Sequence, residues 1–113
     1  MKYLSKTTNC NQGHRHASKK EAYRCDELYL LGRQGLIRDL KQQPEIILQP
    51  KFMYKGKMIR AITYRADFSY YDIMKKKFCV EDAKGFKTRD YIIKSKILKF
   101  IMKDREDFLF IES

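Results

Sequence analysis

Acidic residues are scarce in this chain: 14 Asp and Glu stand against 25 Lys and Arg, which leaves a formal net charge of +11 over 113 residues. A polyanionic partner is the natural expectation for a domain of that balance. Long apolar runs are also missing. No stretch approaches the roughly 20 residues that a bilayer-spanning helix needs, and Met1-Lys2-Tyr3-Leu4-Ser5-Lys6 has no apolar export core, so a cytoplasmic location is expected. Cysteine is sparse and odd in number (Cys10, Cys25, Cys79), which without an export signal argues against a disulfide framework. No internal repeat or low-complexity segment interrupts the chain.

Apolar residues make up 43% and aromatics 13% of the sequence, enough to build one core at this length. The basic residues are spread along the chain and interleaved with eight Tyr and seven Phe, a pattern that suits a phosphate-holding groove better than a basic tail. A polar arm over residues 1–17 shows no periodicity, and a single domain is expected over 18–113.

Ser18-Lys19-Lys20-Glu21 has the form of a capping box, so a helix is predicted from there to Gly32 or Gly35, with Ala22, Cys25, Leu28, Tyr29 and Gly32 on its inner face. Short extended pieces follow at 36–40 and 45–49, with Phe52 and Tyr54 continuing after Pro50 and a turn at Lys55-Gly56-Lys57. From Ile62 to Tyr70 apolar and polar residues alternate, which predicts one strand with Asp67 on its polar side. A further strand runs from Phe78 to Gly85, and period two puts Asp82 and Lys84 on one face and Glu81 on the other. A second helix over 88–103 is expected to bury Ile93, Ile97, Phe100 and Ile101, and a closing strand covers 107–112. The order implies an α/β fold of the α+β kind, a mixed sheet between two helices.

An aspartate on one strand and Asp-x-Lys on the next bring two carboxylates and an ammonium together across a hairpin, about 5 to 8 Å apart. Such carboxylates suit Mg²⁺ or Mn²⁺, which polarises a phosphate and lowers the pKa of an attacking water, while Lys84 would position that water or stabilise developing charge.

The arrangement resembles the PD-(D/E)XK nuclease superfamily, with Ala66-Asp67 in the place of the first motif and Asp82-Ala83-Lys84 in that of the second. Ser18-x-x-Glu21-Ala22, Leu48-Gln49-Pro50, Ala66-Asp67-Phe68 and Glu81-Asp82-x-Lys84-Gly85 are similar to those of short bacteriophage endonucleases and Holliday-junction-resolvase-like proteins in that superfamily. The resemblance covers the chain from Ser18 onward. It implies a restriction-endonuclease-like core (helix, three-stranded meander, helix, strand), a DNA endonuclease acting in the host cytoplasm, and a metal site completed by Glu21 on the first helix. The catalytic set is then Glu21, Asp67, Asp82 and Lys84, the three carboxylates being the metal ligands.

Each residue also has a plainer reading. Glu21 could serve only as the capping partner of Ser18, Asp67 as a solvated strand residue, and Asp82 with Lys84 as a surface ion pair. Glu81 is the alternative to Asp82 as ligand, disfavoured because it points away from Lys84. Gln49, Lys87, Thr88 and Lys94 are candidate phosphate contacts, the middle two at a helix start where backbone donors favour anions. Cys10, His14, His16 and Cys25 are four zinc-type ligands in an irregular spacing, able to tie the arm to the first helix through Zn²⁺; otherwise Cys25 is a small core residue and the histidines are exposed or touch DNA. Cutting two strands is most simply achieved by a homodimer. The rival reading is a non-catalytic basic nucleic-acid-binding phage protein, and an inhibitor of a host enzyme is a third.

Overall fold

The protein is described by a computed structural model that covers residues 8–16, 18–83 and 87–112. Ser18 starts the first helix: its Oγ accepts the Glu21 N–H at 3.2 Å, satisfying a donor that has no partner within the helix. This helix, α1, spans Lys19–Arg33 and is closed by Gly35, whose φ of +76° is a conformation that glycine adopts without a Cβ penalty. Ala22, Cys25 and Leu28 are buried on its inner face, as the spacing predicts.

Two short strands precede α1, β1 (Thr8–Asn9) and β2 (Arg15–His16), paired antiparallel. After it, β3 (Ile37–Gln42), β4 (Glu45–Gln49) and β5 (Phe52–Tyr54) form one side of a long hairpin, and β6 (Lys57–Ile59), β7 (Ile62–Arg65) and β8 (Phe68–Asp72) return along the other. β9 (Lys77–Asp82) pairs antiparallel with β8. The chain then crosses through α2 (Arg89–Met102), the crossover that a parallel pairing requires, and β10 (Phe108–Glu112) runs parallel to β9. The main sheet has the order β10-β9-β8-β3, a mixed α+β architecture.

One core lies between the sheet and α1 and contains Cys25, Leu28, Ile37, Phe68, Tyr70 and Cys79. The other lies between the sheet and α2 and contains Leu48, Tyr64, Ala66, Val80, Tyr91 and Leu98. The central strands are therefore covered on both faces. Among the described residues no helix is long and apolar enough to cross a membrane.

The alternation from Ile62 to Tyr70 does not form one strand. Pro44 cannot donate to the ladder, and Gln43 takes a φ of +47°. The Gln43 N–H donates to the Asp67 carbonyl at 2.8 Å, and the Ala66 N–H donates to the Pro44 carbonyl at 3.1 Å. The chain changes face at this break. Tyr64 and Ala66 pack toward α2 while Phe68 and Tyr70 pack toward α1, and Asp67 is buried rather than placed on a solvated strand face.

The second helix is rotated from the predicted face. Tyr91, Ser95 and Leu98 are buried and Ile97 packs beside them, whereas Ile93, Phe100 and Ile101 are exposed. Hydrophobicity alone ranks Phe100 above Ser95, but the crossover geometry places the Tyr91–Leu98 line over β4 and β7.

Candidate functional site

The N-terminal arm folds back on α1. The Cys10 N–H donates to the His14 carbonyl at 2.9 Å and the Gly13 N–H to the Cys10 carbonyl at 3.0 Å, a turn that Gly13 closes at φ +84°. The Asn11 N–H donates to Asp26 Oδ1 at 2.8 Å and ties the turn to the helix. Cys10, His14 and His16 thereby meet Cys25 from α1, with one donor atom from each residue within 4.8 Å of the others. The four side chains form a group able to hold a metal ion.

Two of the ligand separations match tetrahedral coordination. Cys10 Sγ and Cys25 Sγ lie 3.4 and 3.5 Å from His14 Nδ1, and bonds of about 2.3 Å to sulfur and about 2.0 Å to nitrogen at tetrahedral angles separate the two ligand atoms by about 3.5 Å. His16 is oriented from behind: its Nδ1 lies 2.7 Å from Glu21 Oε2, while Nε2 is buried without a hydrogen-bond partner. A ligating histidine has this arrangement, one ring nitrogen fixed by a carboxylate and the other left for the metal. Gln42 Nε2 donates to Cys25 Sγ at 3.3 Å.

Burial pushes the Cys10 thiol up, but the neighbouring His16 and Cys25 side chains and the backbone outweigh it and bring the pKa down to about 6. At Cys25, burial and the neighbouring Cys10 push it up to about 12. Burial also opposes charge on His16, and Glu21 and Cys10 overcome it and raise its pKa.

A second polar cluster lies at the far end of β9. Asp82 is fully buried on the α2 face, where the Tyr64 hydroxyl donates to its Oδ2. Asp67, at the end of the neighbouring strand, is 7% exposed, and its Oδ2 accepts the Ala83 N–H at 2.7 Å. Burial raises the pKa of the Tyr64 hydroxyl, and the hydrogen bond to Asp82 and the charge of Asp82 raise it further, with smaller contributions from Tyr91 and Asp67. The cluster continues through Tyr91, whose ring centroid is 6.1 Å from that of Tyr64 and whose hydroxyl donates to Glu112 Oε2; Lys99 Nζ lies 2.8 Å from Glu112 Oε1.

Glu81 faces the other way, as period two predicts. It is buried against α1, where Arg24 Nη2 donates at 2.9 Å and the Tyr70 hydroxyl at 2.8 Å. A cleft of about 560 Å³ beside it is lined by Lys19, Lys20, Tyr23, Arg24, Ala83 and Ile111, among others.

The residues expected to act together are thus only partly joined. Asp67 accepts from the backbone N–H of Ala83, the residue after Asp82, and Asp82 accepts from Tyr64, while Glu21 hydrogen-bonds with His16 on the α1 side. Among the described residues, Glu21, Asp67 and Asp82 do not converge as a three-carboxylate metal group; the Cys/His cluster is the group that does. Lys84 lies outside the described residues. Thr88 is the N-cap of α2, its Oγ1 accepting the Tyr91 N–H at 3.1 Å. Lys87 is exposed, and its charge acts on Glu112. Lys94 is half-buried, and Gln49 lies opposite Ile62, away from the Tyr64 end of β7.

Tyr64, Tyr91, Arg24 and Glu112 were not legible as site residues, because each gains its role from a partner at least 18 positions distant. The available signals were Tyr64 and Tyr70, two phenols in an otherwise apolar alternation.

Fold and site together define a small α+β protein with a Cys₂His₂ cluster tying an N-terminal hairpin to its first helix. The chain belongs to the family described as "Protein of unknown function (DUF1064)", whose model matches residues 1–110. No curated protein and no solved structure matches it.

Proposed function

We propose that this protein is a metal-dependent endonuclease hydrolysing phosphodiester bonds in DNA, with Asp67, Asp82 and Lys84 as its reacting centre. The observation that carries the reading is the hydrogen bond from the Ala83 N–H to Asp67 Oδ2, which brings that carboxylate to the residue following Asp82 at the end of β9, within the element order helix, meander, helix, strand. Two carboxylates suit Mg²⁺ or Mn²⁺, and Asp67 and Asp82 would hold the ion. When bound, it polarises a phosphate and lowers the pKa of water. The chain's own groups orient the pair: Tyr64 donates to Asp82, and the Ala83 backbone N–H donates to Asp67. Lys84, two positions after Asp82, supplies the cation of the motif. The net charge of +11 favours a polyanionic substrate. A domain this small is suited to recognising branched or nicked DNA by its shape, and a homodimer would present two such centres to the two strands.

We assign Glu21 to the Cys/His cluster on the contact it makes with His16. Its hydrogen-bonding partner His16 makes it an outer-sphere group of the Cys/His cluster, for which we propose zinc. Thiolate and imidazole donors select zinc over hard cations, and four protein ligands leave no open position, which is the form of a structural site.

The second reading, a non-catalytic nucleic-acid-binding protein, is favoured by one observation: Asp82 is fully buried against Tyr64. Incubation with linear, supercoiled and four-way-junction DNA, with Mg²⁺ or Mn²⁺ and with EDTA, separates the two. The nuclease reading expects metal-dependent cleavage that Asp82→Ala abolishes. Equal cleavage by wild type and variant places the activity elsewhere, and no cleavage of any substrate leaves the binding protein. For zinc, elemental analysis of protein purified without added metal is expected to find one ion per chain, and a metal-free folded protein ends the assignment.

A further inference from the structure

Away from the centre around Asp67 and Asp82, the tip of the long hairpin stands clear of both cores. Among the described residues β5 and β6 pair only with each other, and every residue from 51 to 60 is exposed. An isolated two-stranded ribbon is marginal in water, and this one exposes Phe52, Met53, Tyr54, Met58 and Ile59. The tip is nonetheless sharply formed, with Lys55 at φ +47° and Gly56 at φ +79°, the left-handed pair of a two-residue turn whose twist matches the strands.

The register sorts its side chains. Phe52 lies opposite Ile59 and Tyr54 opposite Lys57, so these four share one face, and Met53 shares the other with its partner Met58. Lys55 Nζ lies 5.5 Å from the Tyr54 ring centroid. Between Glu45 and Asp67 the sequence has no acidic residue, while Lys51, Lys55, Lys57, Arg60 and Arg65 are all cationic.

We propose that the β5–β6 hairpin is a DNA-binding ribbon that enters a groove of duplex DNA, its lysines and Arg60 on the flanking phosphates and Phe52 and Tyr54 against the bases or sugars. Dimensions agree. Three residues per strand reach about 10 Å, and a major groove about 12 Å wide and about 8.5 Å deep admits a two-stranded ribbon. Aromatic side chains that no other element covers supply stacking and wedging surface against bases. A second copy of this chain is the weaker occupant, because two hairpins with several cations and no acidic group repel each other. The inference shares with the proposed function only its DNA partner and is independent of catalysis.

The test is binding of labelled duplex and four-way-junction DNA by fluorescence anisotropy without added Mg²⁺ or Mn²⁺, so that no cleavage occurs and any zinc stays bound, over a series of salt concentrations. Wild type is compared with Lys55→Gln/Lys57→Gln and with Phe52→Ala/Tyr54→Ala. All four positions are exposed, so unchanged circular dichroism and melting are expected. The lysine variant should lower the slope of log affinity against log salt by about 1.8, since each phosphate that a lysine neutralises adds about 0.9 to that slope. The aromatic variant should bind at least about tenfold more weakly with its slope unchanged, stacking being of that size by truncation. Wild-type affinity and slope in both variants overturn the inference, as does failure of wild type to bind DNA. A shift from dimer to monomer in sedimentation, with DNA binding intact, assigns the hairpin to self-association instead. Hairpin-dependent binding without cleavage in metal leaves the inference standing and removes the nuclease reading.

Discussion

The Nδ1 of His16 lies 2.7 Å from Glu21 Oε2, and both side chains are buried. That contact joins the N-terminal arm to the first turn of α1. If Glu21 orients a metal-ligating histidine, Glu21→Gln should weaken zinc binding about 10- to 100-fold, the usual effect of losing an outer-sphere carboxylate. Competition with a chromophoric chelator measures this. Unchanged zinc affinity together with abolished DNA cleavage would return Glu21 to the catalytic set.

Leu98→Ala should destabilise the fold by about 3 kcal/mol, because Leu98 is 1% exposed in the core beneath α2. Phe100→Ala, at 70% exposure, should stay within about 0.5 kcal/mol of wild type. Urea midpoints of the two variants check the rotation of α2, and the reverse order would put the helix back on the face that hydrophobicity predicts.

Arg24 neutralises a carboxylate that burial would otherwise make costly. Removing it in Arg24→Ala leaves Glu81 with the Tyr70 hydroxyl but without its guanidinium, and should cost about 3 kcal/mol. The lower end of the range for buried pairs applies because the arginine side chain is 30% exposed. Glu81→Gln/Arg24→Met should recover most of that stability, and denaturation of the single and double variants measures how much.

Burial works to raise the pKa of Glu112, but hydrogen bonds from Lys99 and Tyr91 and the charges of Lys99 and Lys87 outweigh it, and the group titrates below the ordinary 4.5. A carboxylate depressed on folding contributes stability above its unfolded pKa and loses that contribution as pH falls through its folded value. The stability difference between wild type and Glu112→Gln should therefore be full at pH 7 and shrink below about pH 4.5. A difference that stays constant down to pH 3 would show that the carboxylate is not stabilised by folding.

Much of the architecture was legible because it rests on local physics. The Ser18 cap, the turn at Lys55-Gly56, the strand between Pro44 and Pro50 and the opposite facing of Glu81 and Asp82 each follow from one residue's backbone preference or from the period of a strand. The four soft ligands were visible as residue types, yet their irregular spacing hides the turn at Gly13 that brings them together.

By itself, then, the sequence determined both helices and the run of strands between and after them, the basic balance and the inventory of ligating groups, since these depend on near neighbours and on composition; the β1–β2 hairpin and the division of 62–70 into two strands did not follow from it. Tertiary structure alone decided the face change at Ala66–Asp67, the rotation of α2, and the partners of Glu21 and Asp82. Each is set by contacts across the sheet or between the arm and α1, where packing and the satisfaction of buried polar atoms outweigh local periodicity.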